Sequence, residues 1–243
     1  MPVTELIGDI GESLNGLASE ITTQIDPQFL LTAIAATKEI QATLNEGLSM
    51  NQFPVQPLRL VFELQKQMTP DTHVALDVGS NYIWLSRYLA ADHPRQVLVS
   101  NGQLTLGVSI PWAIALSLLY PGDRVLSTSG DGGFLFTATE LATAVRVGAK
   151  FVHVIWDDGS YDMVAFQEQV NYGETAGVAL GQYDPVKFAE SFGCKGYSIK
   201  SADELPGVFE EAFKSDVPVL IHVRVDYSLN ERLMQNVLQS YLI

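Results

Sequence analysis

Two short stretches carry the residues best suited to hold a charged ligand: Gly130-Asp131-Gly132-Gly133 and Asp157-Asp158-Gly159-Ser160. The first follows Arg124–Ser129, which reads as a buried strand. It precedes Phe134–Val147, where Leu135, Ala138, Leu141, Ala142 and Val145 fall at helical spacing before Gly148. A glycine turn between a strand and a helix offers free backbone N–H groups and the positive end of the helix dipole, which suits a phosphate. Asp131 inside that turn would repel a bare phosphate. A divalent cation bridging its carboxylate to phosphate oxygens removes the conflict. Phe151–Trp156 reads as a second buried strand, ended by Asp157, Asp158 and Gly159. Asp131 and Asp158 lie 27 positions apart (158 − 131), which is room for a helix, a turn and a parallel strand. Such a crossover sets both carboxylates at the carboxyl ends of neighbouring strands, where open α/β sheets bind ligands. Hard oxygen donors beside an anion cradle point to Mg²⁺ holding a diphosphate. Each stretch taken alone is also an ordinary turn. A dinucleotide fingerprint fits less well, because position 135 is Leu where its third glycine belongs and Asp131 would face the pyrophosphate without a metal.

The elements that must position these residues follow from the alternation around them. Helices are predicted at Leu58–Gln67, Ile83–Ala91, Thr105–Leu119 (with Pro111 to accommodate), Val186–Phe192 and Ala202–Lys214. Strands are predicted at His73–Val78, Val97–Ser100, Lys195–Ile199 and Val219–Val225, besides the two flanking the motifs. This pattern predicts an α/β fold: a parallel sheet with helices on both faces. Upstream, Pro27–Leu48 reads as a helix and 49–57 as a linker with two prolines. Glu5–Ile10 reads as a short strand and turn, and Gly11–Ile21 as a short helix, too little to bury an apolar face. The expected organisation is two short elements at 1–25, a helix and linker at 26–54, and a ligand-binding domain at 55–243.

Composition narrows the function. The net charge of −14 argues against a nucleic-acid partner. No apolar run spans a membrane, since the best, 104–120, is broken by Gly107, Ser109 and Pro111. Cys194 is the single cysteine, which excludes a disulfide framework and fits a cytoplasmic location. His73, His93, His153 and His222 show no metal spacing and read as structural.

The pairing of Gly-Asp-Gly with a second carboxylate resembles the cofactor motif of thiamine diphosphate enzymes. SNGQLTLGVSIPWAIA (100–115), SGDGGFLFTATELATAVR (129–146), YDMVAFQEQVNY (161–172) and VDYSLNERLM (225–234) are similar to catabolic acetolactate synthases. The resemblance implies thiamine diphosphate and Mg²⁺ as cofactors, with Asp131, Asp158 and the backbone carbonyl of Ser160 on the metal. It places Gly130, Gly132, Gly133 and the turn Gly79-Ser80-Asn81 at the diphosphate, although Asn81 departs from a histidine often found there. It makes Leu106 the apolar prop that bends the cofactor and puts Met163 near the aminopyrimidine; both also read as core filling. Tyr161 and Asp162 follow the metal loop and face the cofactor or substrate. Gln167 is a candidate on the pyruvate side or an exposed helix position. Asp157 is an extra carboxylate beside the metal site. The resemblance also implies that 1–25 is the remnant of a central domain.

The implied reaction joins two pyruvates, with loss of CO₂, to give 2-acetolactate, and the motifs lean toward acetoin formation. Pyruvate oxidase and 2-keto acid decarboxylase are disfavoured by DGSYDMVAFQ and VDYSLN. In this family a glutamate that activates the cofactor comes from the N-terminal pyrimidine-binding domain of a neighbouring subunit. No catalytic residue is therefore expected in these residues, and a homodimer or tetramer is expected. A cofactor-binding subunit without activity of its own is the alternative.

Overall fold

Apolar runs such as Val152–Trp156 and Val219–Val223 cannot remain in water. In a computed structural model, which describes residues 5–22, 26–231 and 233, they pair as the centre of a parallel sheet. The strands are β1 (Thr72–Leu76), β2 (Val97–Val99), β3 (Arg124–Gly130), β4 (Val152–Asp157), β5 (Lys195–Ile199) and β6 (Val219–Arg224). Their order is β2-β1-β3-β4-β6-β5, all neighbours parallel. Chain direction across the sheet reverses between β1 and β3, so the carboxyl ends of these strands flank a topological switch point.

Alternate strand residues feed two cores. Val74, Leu126, Val154 and Ile221 pack on one face under α3 (Pro57–Gln65), α4 (Ser80–Tyr88) and α10 (Leu205–Ala212). Ala75, Val125, Ile155 and Leu220 pack on the other under α5 (Ser109–Leu119), α6 (Asp131–Thr137), α7 (Leu141–Arg146) and α9 (Pro185–Ser191). The expected α/β sheet covered on both faces is what forms. His153 is one of the polar residues buried inside: its ring nitrogens bond the hydroxyls of Ser127 at 2.8 Å and Ser129 at 3.0 Å. Burial pushes its pKa down to about 3.

Several boundaries differ from the sequence expectation. Residues 5–9 form no strand, having no neighbouring strand to pair with among the described residues; Asp9 instead caps α1 (Ile10–Glu20) by accepting the Glu12 N–H. The helix expected from Thr105 begins at Ser109, which places Pro111 in the first turn where its missing N–H costs nothing. The helix expected over Phe134–Val147 starts at Asp131 and is split by a 3₁₀ turn at Ala138–Glu140. There the Thr137 hydroxyl donates to the Gly107 carbonyl at 2.7 Å, and Thr137 leaves helical geometry. A further helix, α8 (Asp162–Tyr172), lies where the alternation predicted none.

The chain divides into two units, Met1–Glu39 and Ile40–Ile243, with the boundary inside α2 (Pro27–Glu46). No residue of α1 is buried, whereas Leu44 belongs to the core of the second unit. Residues 1–4 and 23–25 of the expected remnant, and Arg232 and Met234 of the last motif, lie outside the described residues.

Candidate cofactor site

The glycine turn is tighter than a loop. β3 ends at Gly130 and α6 begins at Asp131, so strand passes directly to helix. Gly132 is required by packing: a Cβ there would stand 2.5 Å from Cε1 of Tyr161. A Cβ on Gly133 would meet the Asp77 carboxyl at 3.3 Å. Gly130 is different. Its backbone is extended, φ −69°, and a Cβ would find its nearest neighbour 3.9 Å away.

Beside the turn the acidic residues take distinct environments. Asp131 accepts N–H bonds from Gly132 at 2.9 Å and, across the gap to the β4 loop, from Gly159 at 2.8 Å. Burial, then the adjoining Asp157 and Asp158 carboxylates, push it up to about 8. Burial and the charge of Asp162 lift Asp158 to about 6, although the Ser160 hydroxyl, at 2.6 Å, works against that. Asp157 turns the other way. Burial would raise it, but His222 at 2.5 Å and Arg224 at 3.1 Å hold it down at about 2. Asp157 is therefore tied to β6 rather than offered to a cation.

The Ser160 carbonyl is aimed by its surroundings. Ser160 faces Ala179 in an antiparallel bridge whose hydrogen bonds run from Leu180 N–H to the Gly159 carbonyl and from Tyr161 N–H to the Val178 carbonyl, both 2.9 Å. In such a non-hydrogen-bonded pair, the N–H and C=O of the central residue point away from the partner strand. The Ser160 N–H does so, bonding the Asp158 carboxylate. In extended backbone its carbonyl shares that side. Two crowded carboxylates and one carbonyl form a hard-oxygen set that fits Mg²⁺ with ligand oxygens completing the shell. Among the described residues no three His, Cys, Asp or Glu side chains converge on a metal position, so a cation here depends on that carbonyl.

Asp77, which sequence reasoning missed, joins the remaining walls. Fully buried past the end of β1, it accepts the N–H groups of Val78 (2.8 Å), Gly107 (2.9 Å) and Ser109 (3.4 Å) and the Ser109 hydroxyl (3.0 Å). Burial lifts its pKa against the pull of those bonds. It thereby fixes the turn that carries Leu106. Asn81 donates to Thr128 Oγ1 at 3.1 Å and leaves its own Oδ1 buried without a partner. Ser80 and Asn230 both bond Asp162, the latter at 2.6 Å, and the Trp84 N–H donates to Asn230 at 2.7 Å. Tyr227 stacks on Trp156 with ring centroids 6.5 Å apart. Tyr227 and Asn230 sit in the VDYSLNERLM motif, which was the available signal for them. For Asp77 it was a carboxylate closing an apolar run before Gly79.

These walls enclose a cleft of about 240 Å³. Gly79, Ser80, Asn81, Leu106, Gly130, Asp131, Gly132, Gly133, Asp158, Ser160, Tyr161, Asp162 and Met163 all line it, with Trp156 and Tyr227. Gln167 stands exposed on α8, outside that lining. A larger cavity of about 540 Å³ lies at the amino ends of β3 and β4, around Arg124, Lys150 and Asp216, and contains none of these residues.

A parallel sheet bearing a strand–Gly-Asp-Gly–helix junction opposite a second carboxylate loop defines a class, and comparison with known proteins agrees. Residues 77–223 match the family described as "Thiamine pyrophosphate enzyme, C-terminal TPP binding domain", and the chain belongs to it. Within that class it is 41% identical over 239 residues to the acetolactate synthase of Bacillus subtilis (strain 168), covering 96% of this chain and 41% of that protein. It is likewise 41% identical over 236 residues to the catabolic acetolactate synthase of Raoultella terrigena, covering 96% and 42%. The chain thus spans about two fifths of the length of these relatives. Among solved structures, a putative thiamin diphosphate-dependent enzyme from Mycobacterium smegmatis superposes with a TM-score of 0.63 at 22% identity, covering 72% of this chain and 32% of that one, which is a likeness of fold. No described helix is long and apolar enough to cross a membrane.

Proposed function

We propose that this chain is the diphosphate-binding part of an acetolactate synthase, holding Mg²⁺-thiamine diphosphate for the condensation of two pyruvates to 2-acetolactate. The observation that carries the reading is that Asp131, Asp158 and Ser160 line one cleft beside the glycine turn, in a chain 41% identical to two acetolactate synthases. Asp131, Asp158 and Ser160 hold the metal. The backbone at 130–133 and the Gly79-Ser80-Asn81 turn receive the diphosphate, with the Asn81 amide turned to present its N–H₂ group. Leu106, Met163 and Tyr227 supply the apolar wall that orients the ring portion and keeps water out. When bound, thiamine diphosphate supplies the carbanion chemistry that removes CO₂ from a 2-keto acid.

No glutamate lines the cleft among the described residues. The group that activates the cofactor is accordingly assigned to a pyrimidine-binding domain outside these residues, in an assembly of two or four subunits. Calorimetric titration with thiamine diphosphate tests the reading. Binding is expected with Mg²⁺, weaker by at least tenfold without it, and lost in Asp131→Ala. Equal binding with and without Mg²⁺ sinks it. By itself the chain is expected to form no measurable acetolactate from pyruvate.

A further inference from the structure

The metal loop does not hold its own shape. Ser160 sits in extended backbone between Gly159, with φ +83°, and the start of α8. Its side chain and N–H are committed to Asp158. Besides the Gly159 N–H bond to Asp131, the segment 178–180 fixes the loop from outside, through Leu180 N–H to the Gly159 carbonyl and Tyr161 N–H to the Val178 carbonyl. The segment is itself returned to that place by α8. Gly173, in left-handed geometry with φ +76°, ends the helix, and its N–H bonds the Gln169 carbonyl. Glu168 on the helix accepts the Ala176 N–H at 2.9 Å. Gly177, at φ +70°, turns the chain back alongside the helix toward its start. Metal loop, helix and returning segment therefore close into one unit.

We propose that 178–180 is a positioning strap. By occupying the outward-facing hydrogen bonds of Gly159 and Tyr161, it turns the Ser160 carbonyl toward Asp131 and Asp158 and so sets the Mg²⁺ affinity of the site. The strap acts through backbone bonds, so its side chains are free to vary. The inference rests on the proposed function for its ligand but not for its geometry.

Proline substitution separates the two strands of the argument, because it deletes a single N–H. Leu180→Pro removes the bond to Gly159. Ala179→Pro removes an N–H that points away from the metal loop and serves as the control for proline itself; Leu180→Ala keeps the bond. Two readouts are made on the full chain. Without ligand, amide exchange at Tyr161 is expected to rise at least tenfold in Leu180→Pro and to stay within threefold of the parent in the other two. In titrations with MgCl₂ at fixed thiamine diphosphate, half-saturating Mg²⁺ is expected to rise at least fivefold in Leu180→Pro, with binding recovered at high Mg²⁺. A general loss of folding would instead show as lost far-UV circular dichroism in the ligand-free variant, because a ligand that binds only the folded state also rescues a destabilised chain. Unchanged exchange in Leu180→Pro, an equal rise in Ala179→Pro, or an unchanged Mg²⁺ requirement overturns the strap. A parent chain that binds no thiamine diphosphate overturns the proposed function instead, and the exchange result still decides the strap.

Discussion

The three glycines of the turn make different demands, and alanine at each separates fold from ligand. At Gly132 a Cβ would lie 2.5 Å from the Tyr161 ring, so the ring must retreat by most of an ångström to reach ordinary contact. Overpacking of this kind costs about 1–3 kcal/mol. Gly132 lies in the first turn of α6, where alanine is favoured over glycine by about 0.5–1 kcal/mol. The balance leaves Gly132→Ala destabilised by about 1 kcal/mol, within a span of about 0–2.5, a fall in Tm of roughly 2–4 °C for a domain of this size. Gly130→Ala meets nothing closer than 3.9 Å at a φ open to any residue. It is expected to match or slightly exceed the parent in stability, by up to about 1 kcal/mol. If Gly130 serves the diphosphate rather than the fold, the same variant loses thiamine diphosphate affinity at least tenfold. Thermal unfolding followed by circular dichroism without Mg²⁺ or cofactor, paired with calorimetric titration, reads both quantities. A Gly130→Ala chain that melts as low as Gly132→Ala, or that binds the cofactor like the parent, refutes the division of roles.

Two further outcomes follow from buried polar groups. His153 has an unfolded pKa near 6.5 and a folded one near 3, so its contribution to stability is complete above pH 6.5 and is lost as pH falls toward 3. Urea unfolding between pH 6.5 and 4 should show a loss of about 1.4 kcal/mol per pH unit from this group, and His153→Asn should flatten that slope; an unchanged slope contradicts the assignment. Asp77→Asn sets an amide N–H₂ against either the Gly107 N–H or the Ser109 N–H, which bond different carboxylate oxygens, and should cost about 1–3 kcal/mol in urea unfolding. An unaltered midpoint would show that the turn carrying Leu106 stands without it.

The sheet was legible because buried parallel strands are apolar runs bounded by turn residues, and Val152–Trp156 and Val219–Val223 declare themselves in that way. The juxtaposition of Asp131 and Asp158 was legible because they occupy equivalent places after adjacent strands, so one crossover relates them. What escaped depends on partners distant in sequence. Asp77 acts on Gly107 and Ser109, which lie beyond α4 and β2, and its one local signal, a carboxylate closing an apolar run before Gly79, does not reveal those partners. Thr137 is an unremarkable helical position until the Gly107 carbonyl comes within reach of its hydroxyl. The segment 178–180 shows no strand periodicity, because one bridge with two bonds needs none. Glu5–Ile10 failed in the opposite direction: its strand-like composition has no neighbour to pair with among the described residues.

The buried histidine between two serines bears on how accurately Asp131 and Asp158 are spaced. Sliding β4 by two residues along β3 would keep every apolar side chain on its own face, so the hydrophobic cores oppose that error only weakly. The same slide would carry Asp158 about 6.6 Å along the strand direction relative to Asp131, too far for one cation to touch both. A slide that sets His153 opposite Val125 would also take Ser129 out of its reach, leaving a nitrogen unmatched in the interior at about 1–3 kcal/mol. The polar trio thus works as an alignment key: a buried cluster in the central strands makes a sliding error in that direction expensive and so helps fix the spacing of Asp131 and Asp158.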